Sequence, residues 1–60
     1  MGMLTFAEMR EFYMNIMDDE VKDFEWHAIW ARNRFGIKMT ADECMEFFSI
    51  CHLSGAFDDL

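Results

Sequence analysis

Cys44, Cys51 and His52, with His27 as a fourth, have the strongest claim to chemistry in this sequence. Thiolate and imidazole are the usual ligands of structural zinc, which takes four of them in closely spaced pairs. The run C-x6-C-H matches no such spacing. If both cysteines lie on one helix, they stand two turns apart, about 10 Å along the axis. A single ion cannot bridge that gap without other elements, and a disulfide within an intact helix is excluded by the same distance. Two thiols on an apolar helix face are ordinarily small core residues in a reducing, cytoplasmic compartment. Bridging between chains and a thiol-based metal-binding switch are the alternatives. His27 stands beside an apolar stripe with no Ser, Cys or Lys arranged to form a nucleophile pair, and reads as a satisfied boundary histidine. The acids form neither the E-x-x-H pattern of di-iron bundles nor the D-x-[DN]-x-[DN]-G loop of an EF-hand. The expectation is a protein with no catalytic residue, no metal and no cofactor, and so not an enzyme.

Charge is more informative. Twelve acids against five bases give a net charge of −7. Asp18, Asp19, Glu20, Asp23 and Glu25 make the densest cluster, opposed only by Lys22, and Asp42, Glu43 and Glu46 make a second. Such a chain is repelled by nucleic acid and anionic membranes and drawn to basic surfaces. The stretch from Arg34 to Cys44 has the outline of a helix-turn-helix. Its would-be recognition helix carries Asp42, Glu43 and Glu46 and no Lys or Arg in that turn, so phosphates would be repelled. The first cluster is either a solvated, dipole-matched helix start or a contact surface for a basic partner. Trp26 and Trp30, one turn apart, are the clearest interaction signal, because Trp combines a large apolar area with a polar N–H. They either pack under a neighbouring helix or form an interface with a partner or a second copy.

These residues need elements to position them. Sixty residues with 53% apolar and 17% aromatic content, no Pro and three Gly make one small helical domain, residues 1–60. A chain of this length buries only about 60% of its unfolded surface, so an open arrangement completed by dimerisation is an alternative to a compact bundle. No apolar run is long enough to span a bilayer. The N-terminus lacks a basic region followed by an apolar one, as a secretory signal would have. Met1-Gly2 opens like a myristoylation start, but that signal wants Ser or Thr where Phe6 stands.

Helix one is expected over about 6–17. Thr5 and Glu8 form a T-x-x-E capping box, Leu4 and Met9 have staple spacing, and Phe6, Met9, Phe12, Tyr13, Ile16 and Met17 share an apolar face. Helix two is expected over about 19–35, with Asp18 or Asp19 as its cap and acids in its first turn. Val21, Phe24, Ala28, Ala31 and Phe35 form one stripe, and Trp26, Ile29 and Trp30 lie on roughly the opposite side. With no Gly or Pro between them, helices one and two could run on as one bent rod. Arg32, Arg34 and Gly36 close helix two. Helix three is expected over about 41–53, opened by a second box at Thr40 and Glu43 and stopped by Gly55. Ala41, Cys44, Met45, Phe48 and Cys51 share its inner face. Phe57, in the tail, either docks on the bundle or frays.

In size, acidity and aromatic content the chain resembles the small acidic inhibitors of bacteriophages and mobile elements, anti-CRISPR and anti-restriction proteins among them. That resemblance implies a protein that occupies the basic, nucleic-acid-binding surface of a host protein. Asp18, Asp19, Glu20, Asp23, Glu25, Trp26, Trp30, Asp42, Glu43 and Glu46 are then the expected contact residues. A structural or regulatory subunit that dimerises through Trp26 and Trp30 is the competing class.

Overall fold

The computed structural model describes residues 3–60, and the Met1-Gly2 start lies outside them. Three helices follow one another: α1 (Phe6–Met17), α2 (Phe24–Phe35) and α3 (Ala41–Ser54). The fold is all-α, and among the described residues no helix is long and apolar enough to cross a membrane.

Local chemistry sets most of the ends. Both capping boxes form: the Thr5 and Thr40 hydroxyls accept from the N–H of Glu8 and Glu43, whose carboxylates accept from the threonine N–H in return. Gly36 and Gly55 end α2 and α3 with φ of +74° and +70°, a conformation that a Cβ disfavours.

The start of α2 differs from the expected Asp19. The helix begins at Phe24, and Asp23 is its cap, accepting from the N–H of Glu25 and Trp26. Helices α1 and α2 are therefore separate. The break is made without Gly or Pro. Asp19 accepts from the Val21 N–H in a local turn, and Lys22 adopts φ +56°. Short acidic side chains compete for backbone N–H groups in this way and favour turns and caps over helix interiors. Val21 consequently leaves the apolar stripe and is 80% exposed.

Phe12 and Ile16 from α1, Ala28 and Ala31 from α2 and Cys44 from α3 form the main buried cluster. Phe12 stacks on Phe47 at 5.3 Å between centroids, with Trp30 and Phe35 around it at 5.9 and 6.3 Å. A second cluster joins Tyr13, Cys51 and Phe57, so the tail docks rather than frays. Arg10 grips Asp59 through its two terminal guanidinium nitrogens, at 3.1 and 2.8 Å, and fastens that tail to α1. The apolar faces are narrower than the spacing predicts: Phe6, Met17 and Met45 are largely exposed, and Phe24 and Phe35 are half-buried. The molecule measures 26 × 26 × 16 Å. A helix with its side chains is about 10–12 Å across, so the thin dimension cannot cover both faces of α2. One face packs inward and the other meets solvent.

Candidate protein-docking surface

The uncovered face of α2 and the loop before it bring together most of the residues that the sequence singles out. The loop from Asp18 to Asp23 is tied down from three sides. Lys22 turns back, and its Nζ donates to the carbonyls of Ile16 (2.6 Å) and Met17 (2.9 Å). The last turn of α1 has no basic residue of its own, so this ammonium gives the Met17 carbonyl a partner, shares the Ile16 carbonyl with the Asp19 N–H and offsets the negative end of the helix dipole. The same nitrogen lies 5.7 Å from the centre of the Phe48 ring. Asp19 reaches the other way, with Oδ2 2.9 Å from Nε2 of His27. Asn15 on α1 lies 3.0 Å from Nδ1 of the same ring.

His27 is wholly buried, not at a boundary. An Asn15 amide that donates to Nδ1 leaves the ring proton on Nε2, facing Asp19. The carboxylate lies off the N–H direction, so the contact is an ion–dipole pair and Nε2 forms no aligned hydrogen bond. The Asp19 carboxyl is held below its ordinary range chiefly by the Val21 N–H and also by His27, against the opposing cost of its own desolvation.

The ten expected contact residues divide. Asp18, Asp19, Asp23 and Trp26 border one depression of about 450 Å³ together with His27. Trp26 is 50% exposed, and its ring stands at 84° to the His27 imidazole, 5.1 Å away. Glu25 and Glu43 border a neighbouring depression of about 520 Å³ with Ile29 and Met39, and the exposed Arg32 and Lys38 border it as well. Glu20 is exposed on the loop. Trp30 departs from the set: it turns inward onto Phe12 and meets Phe35 edge-on at 5.4 Å. A dimer face built on both tryptophans thereby loses half its apolar anchor. Asp42 and Glu46 are exposed on α3 and border neither depression.

Two contributors escaped the sequence reading. Val21 and Ile29 are exposed beside Trp26, one on each depression, and widen the apolar area. The helical spacing puts Ile29 on the tryptophan side without marking it as a contact. Nothing local marked Val21, which leaves the stripe only because α2 starts late.

The thiols lie elsewhere. Cys44 belongs to the first buried cluster and Cys51 to the second, and both are free. Burial pushes the Cys44 thiol up to about 11 and raises Cys51 as well, so neither presents a thiolate near neutral pH. His52 faces the Tyr13 hydroxyl at 3.1 Å and stacks on Phe48. Among the described residues no three His, Cys, Asp or Glu side chains converge as metal ligands. No protein family, curated protein or solved structure matches the chain.

Proposed function

We propose that this protein is an acidic interaction module that docks the Asp18–Asp23 loop and the first turns of α2 onto a basic surface of a nucleic-acid-binding protein. It thereby excludes the nucleic acid, in the cytoplasm, as an inhibitor of the phage or mobile-element kind. The observation that carries this reading is the one-signed charge of the edge. Lys22 is the only Lys or Arg between Arg10 and Arg32, and its ammonium is folded onto the carbonyls of α1. The loop itself therefore offers carboxylates without a competing exposed cation, Arg32 and Lys38 lying on the depression beyond Glu25. Asp18, Glu20 and Glu25 accept no hydrogen bond from a side chain among the described residues and are free to meet Lys or Arg. Trp26, Val21 and Ile29 supply adjoining apolar area whose contribution salt does not screen.

Competition tests the proposal. A bacterial lysate is passed over immobilised DNA and RNA with and without an excess of the protein. The expected result is the loss of particular nucleic-acid-binding proteins from the retained fraction, relieved when Asp18, Glu20 and Glu25 are changed to Lys. An unchanged retained fraction would show that the edge does not block such surfaces.

A further inference from the structure

We propose that this chain forms a two-fold homodimer in which α2 of one copy packs antiparallel on α2 of the other, across the depression bordered by Ile29 and Arg32. The dimer stands beside the docking reading above. Of the residues assigned to the docking edge, only Glu25 and Ile29 enter the seam, while the Asp18–Asp23 loop and Trp26 border the other depression.

The cations point to the place. Of the five Lys and Arg residues, three are engaged within the chain: Arg10 holds Asp59, Arg34 holds Glu11, and Lys22 covers the carbonyls of α1. Arg32 and Lys38 remain. Both are exposed, both border the same depression, and neither side chain has a hydrogen bond or ion pair among the described residues. Glu25 borders that depression too, exposed and equally unpaired. Exposed charges of both signs thus share one surface of a chain whose net charge is −7.

The spacing turns that surface into its own complement. Glu25 and Arg32 lie two helical turns apart, about 10 Å along the axis, whereas pairing along a helix takes three or four residues. The positions between them at that reach are Ala28 and Ile29, both apolar. A two-fold axis at the midpoint between Ala28 and Ile29 sets Glu25 of each copy against Arg32 of the other. It also sets Ile29 of each copy over Ala28 of the other. Ile29 is 56% exposed and Ala28 only 7%, so a projecting side chain meets a small recessed one, as close helix packing requires. A two-fold contact is isologous and is built from such reciprocal pairs, and here two Arg–carboxylate pairs flank an apolar centre. Two copies of an acidic chain repel each other through one-signed faces such as the Asp18–Asp23 loop, and the mixed face avoids that repulsion. A seam one helix wide falls at the low end of interface size, below about 1,200 Å² in total. The dimer is therefore weak and forms as concentration rises.

Sedimentation equilibrium on the whole chain over a wide concentration range measures it. The parent should pass from one chain toward two. Glu25→Arg alone and Arg32→Glu alone should each weaken association by roughly tenfold or more, because like charges then face each other at both ends of the seam. An equimolar mixture of the two variants should associate about as well as the parent, since one chain then offers only cations and the other only carboxylates. The mixture guards against misfolding, because mixing does not rescue a chain that has lost its helices, and circular dichroism checks each variant alone. In parent protein mixed from isotope-labelled and unlabelled chains, an NOE between the Ala28 methyl of one copy and the Ile29 methyls of the other should fix the register.

A parent that stays a single chain at every concentration overturns the proposal. A dimer that neither variant weakens overturns it as well, by placing the contact on another face. Weak association of both variants without recovery on mixing overturns the reciprocal pairing. A single chain whose Arg32 and Lys38 signals shift only on adding an oligoglutamate peptide assigns the depression to an acidic partner in place of a second copy. The lysate competition is read separately: its failure removes the docking reading and leaves the dimer standing.

Discussion

Lys22 lies six residues after Ile16 and donates to its carbonyl oxygen at 2.6 Å, so the one cation of the acidic loop covers the C-terminal carbonyls of the helix before it. Local sequence would place an ammonium at that position in contact with its acidic neighbours. The left-handed backbone at Lys22 instead swings it across the turn. That contact, with the Asp19 turn and the Asp23 cap, holds α1 and α2 apart and leaves the loop's outward face negative.

Lys22→Ala is expected to destabilise the fold by about 1–2 kcal/mol, as charged hydrogen bonds at a partly exposed site are lost. Amide exchange should quicken at Met14 to Met17. Lys22→Gly should cost less than Lys22→Ala, because glycine adopts φ +56° freely. Thermal melts and hydrogen exchange on the two variants check both statements, and a Gly variant less stable than the Ala variant would contradict the role given to the backbone.

The core places its heaviest demand on Phe12. Phe12→Ala should cost about 3–5 kcal/mol, comparable to the whole stability of a domain this small, and leave a largely unfolded chain by circular dichroism. Phe24→Ala and Phe35→Ala should cost less, since both rings are half-buried. A Phe35 variant that melts below the Phe12 variant would put the centre of the core elsewhere.

How much of this was legible depended on how local the physics is. Thr5, Thr40, Gly36 and Gly55 announced helix ends because a cap is decided within four residues. The start of α2 was not legible in the same way. Asp18, Asp19 and Asp23 are all good caps, and the choice is made from outside: His27 takes Asp19 and the α1 carbonyls take Lys22. The tryptophans posed the same difficulty. At about 100° per residue Trp26 and Trp30 differ by only 40° around the helix, so the position of Phe12 on another helix decides which one turns inward. The acidic loop was legible as composition, but the folding of Lys22 onto the carbonyls of α1 was not.

Acid should loosen the loop first. The folded Asp19 carboxyl titrates below the model-peptide value of 3.8, chiefly because of the Val21 N–H. A depressed acid contributes stability that is fully present above its unfolded value and is lost as pH falls through the folded one. The Asp19 contribution is therefore intact at pH 5 and above and declines below about pH 4. Asp59, lowered by Arg10, behaves alike at the tail. Urea midpoints measured from pH 7 to pH 2 should fall less steeply for Asp19→Asn, which keeps an acceptor for Val21 and cannot ionise. Identical slopes for variant and parent would remove Asp19 from the account.

Thiol reactivity should follow opening of the core. With Cys44 raised to about 11 and both sulfurs buried, alkylation at pH 7.4, a condition of roughly physiological pH well below the thiol value, should be slow in the folded protein and accelerate in urea. Helicity should survive chelator and reductant together. Rapid labelling of Cys44 without loss of helicity would mean that α3 does not cover it as described.

Charge reversal separates the edge from the fold. Asp18, Glu20 and Glu25 hold no intramolecular ion pair among the described residues, so changing all three to Lys should leave the helices intact. Glu25 lies in the first turn of α2, and its reversal sets a cation against the dipole at about 0.3–1 kcal/mol. Asp19→Lys is a different experiment: it breaks the His27 contact and the Val21 turn together and should unsettle the loop itself. For a basic partner recovered by competition, the triple variant should slow association at low salt and leave dissociation nearly unchanged, because rim charges chiefly steer encounter. Trp26→Ala should do the reverse, shortening the lifetime of the complex with little effect on its formation. Stopped-flow association at several salt concentrations distinguishes the two. An on-rate for the parent that ignores salt would mean that the carboxylates of this edge do not guide the partner, and the apolar face of Trp26 and Ile29 would then have to account for binding alone.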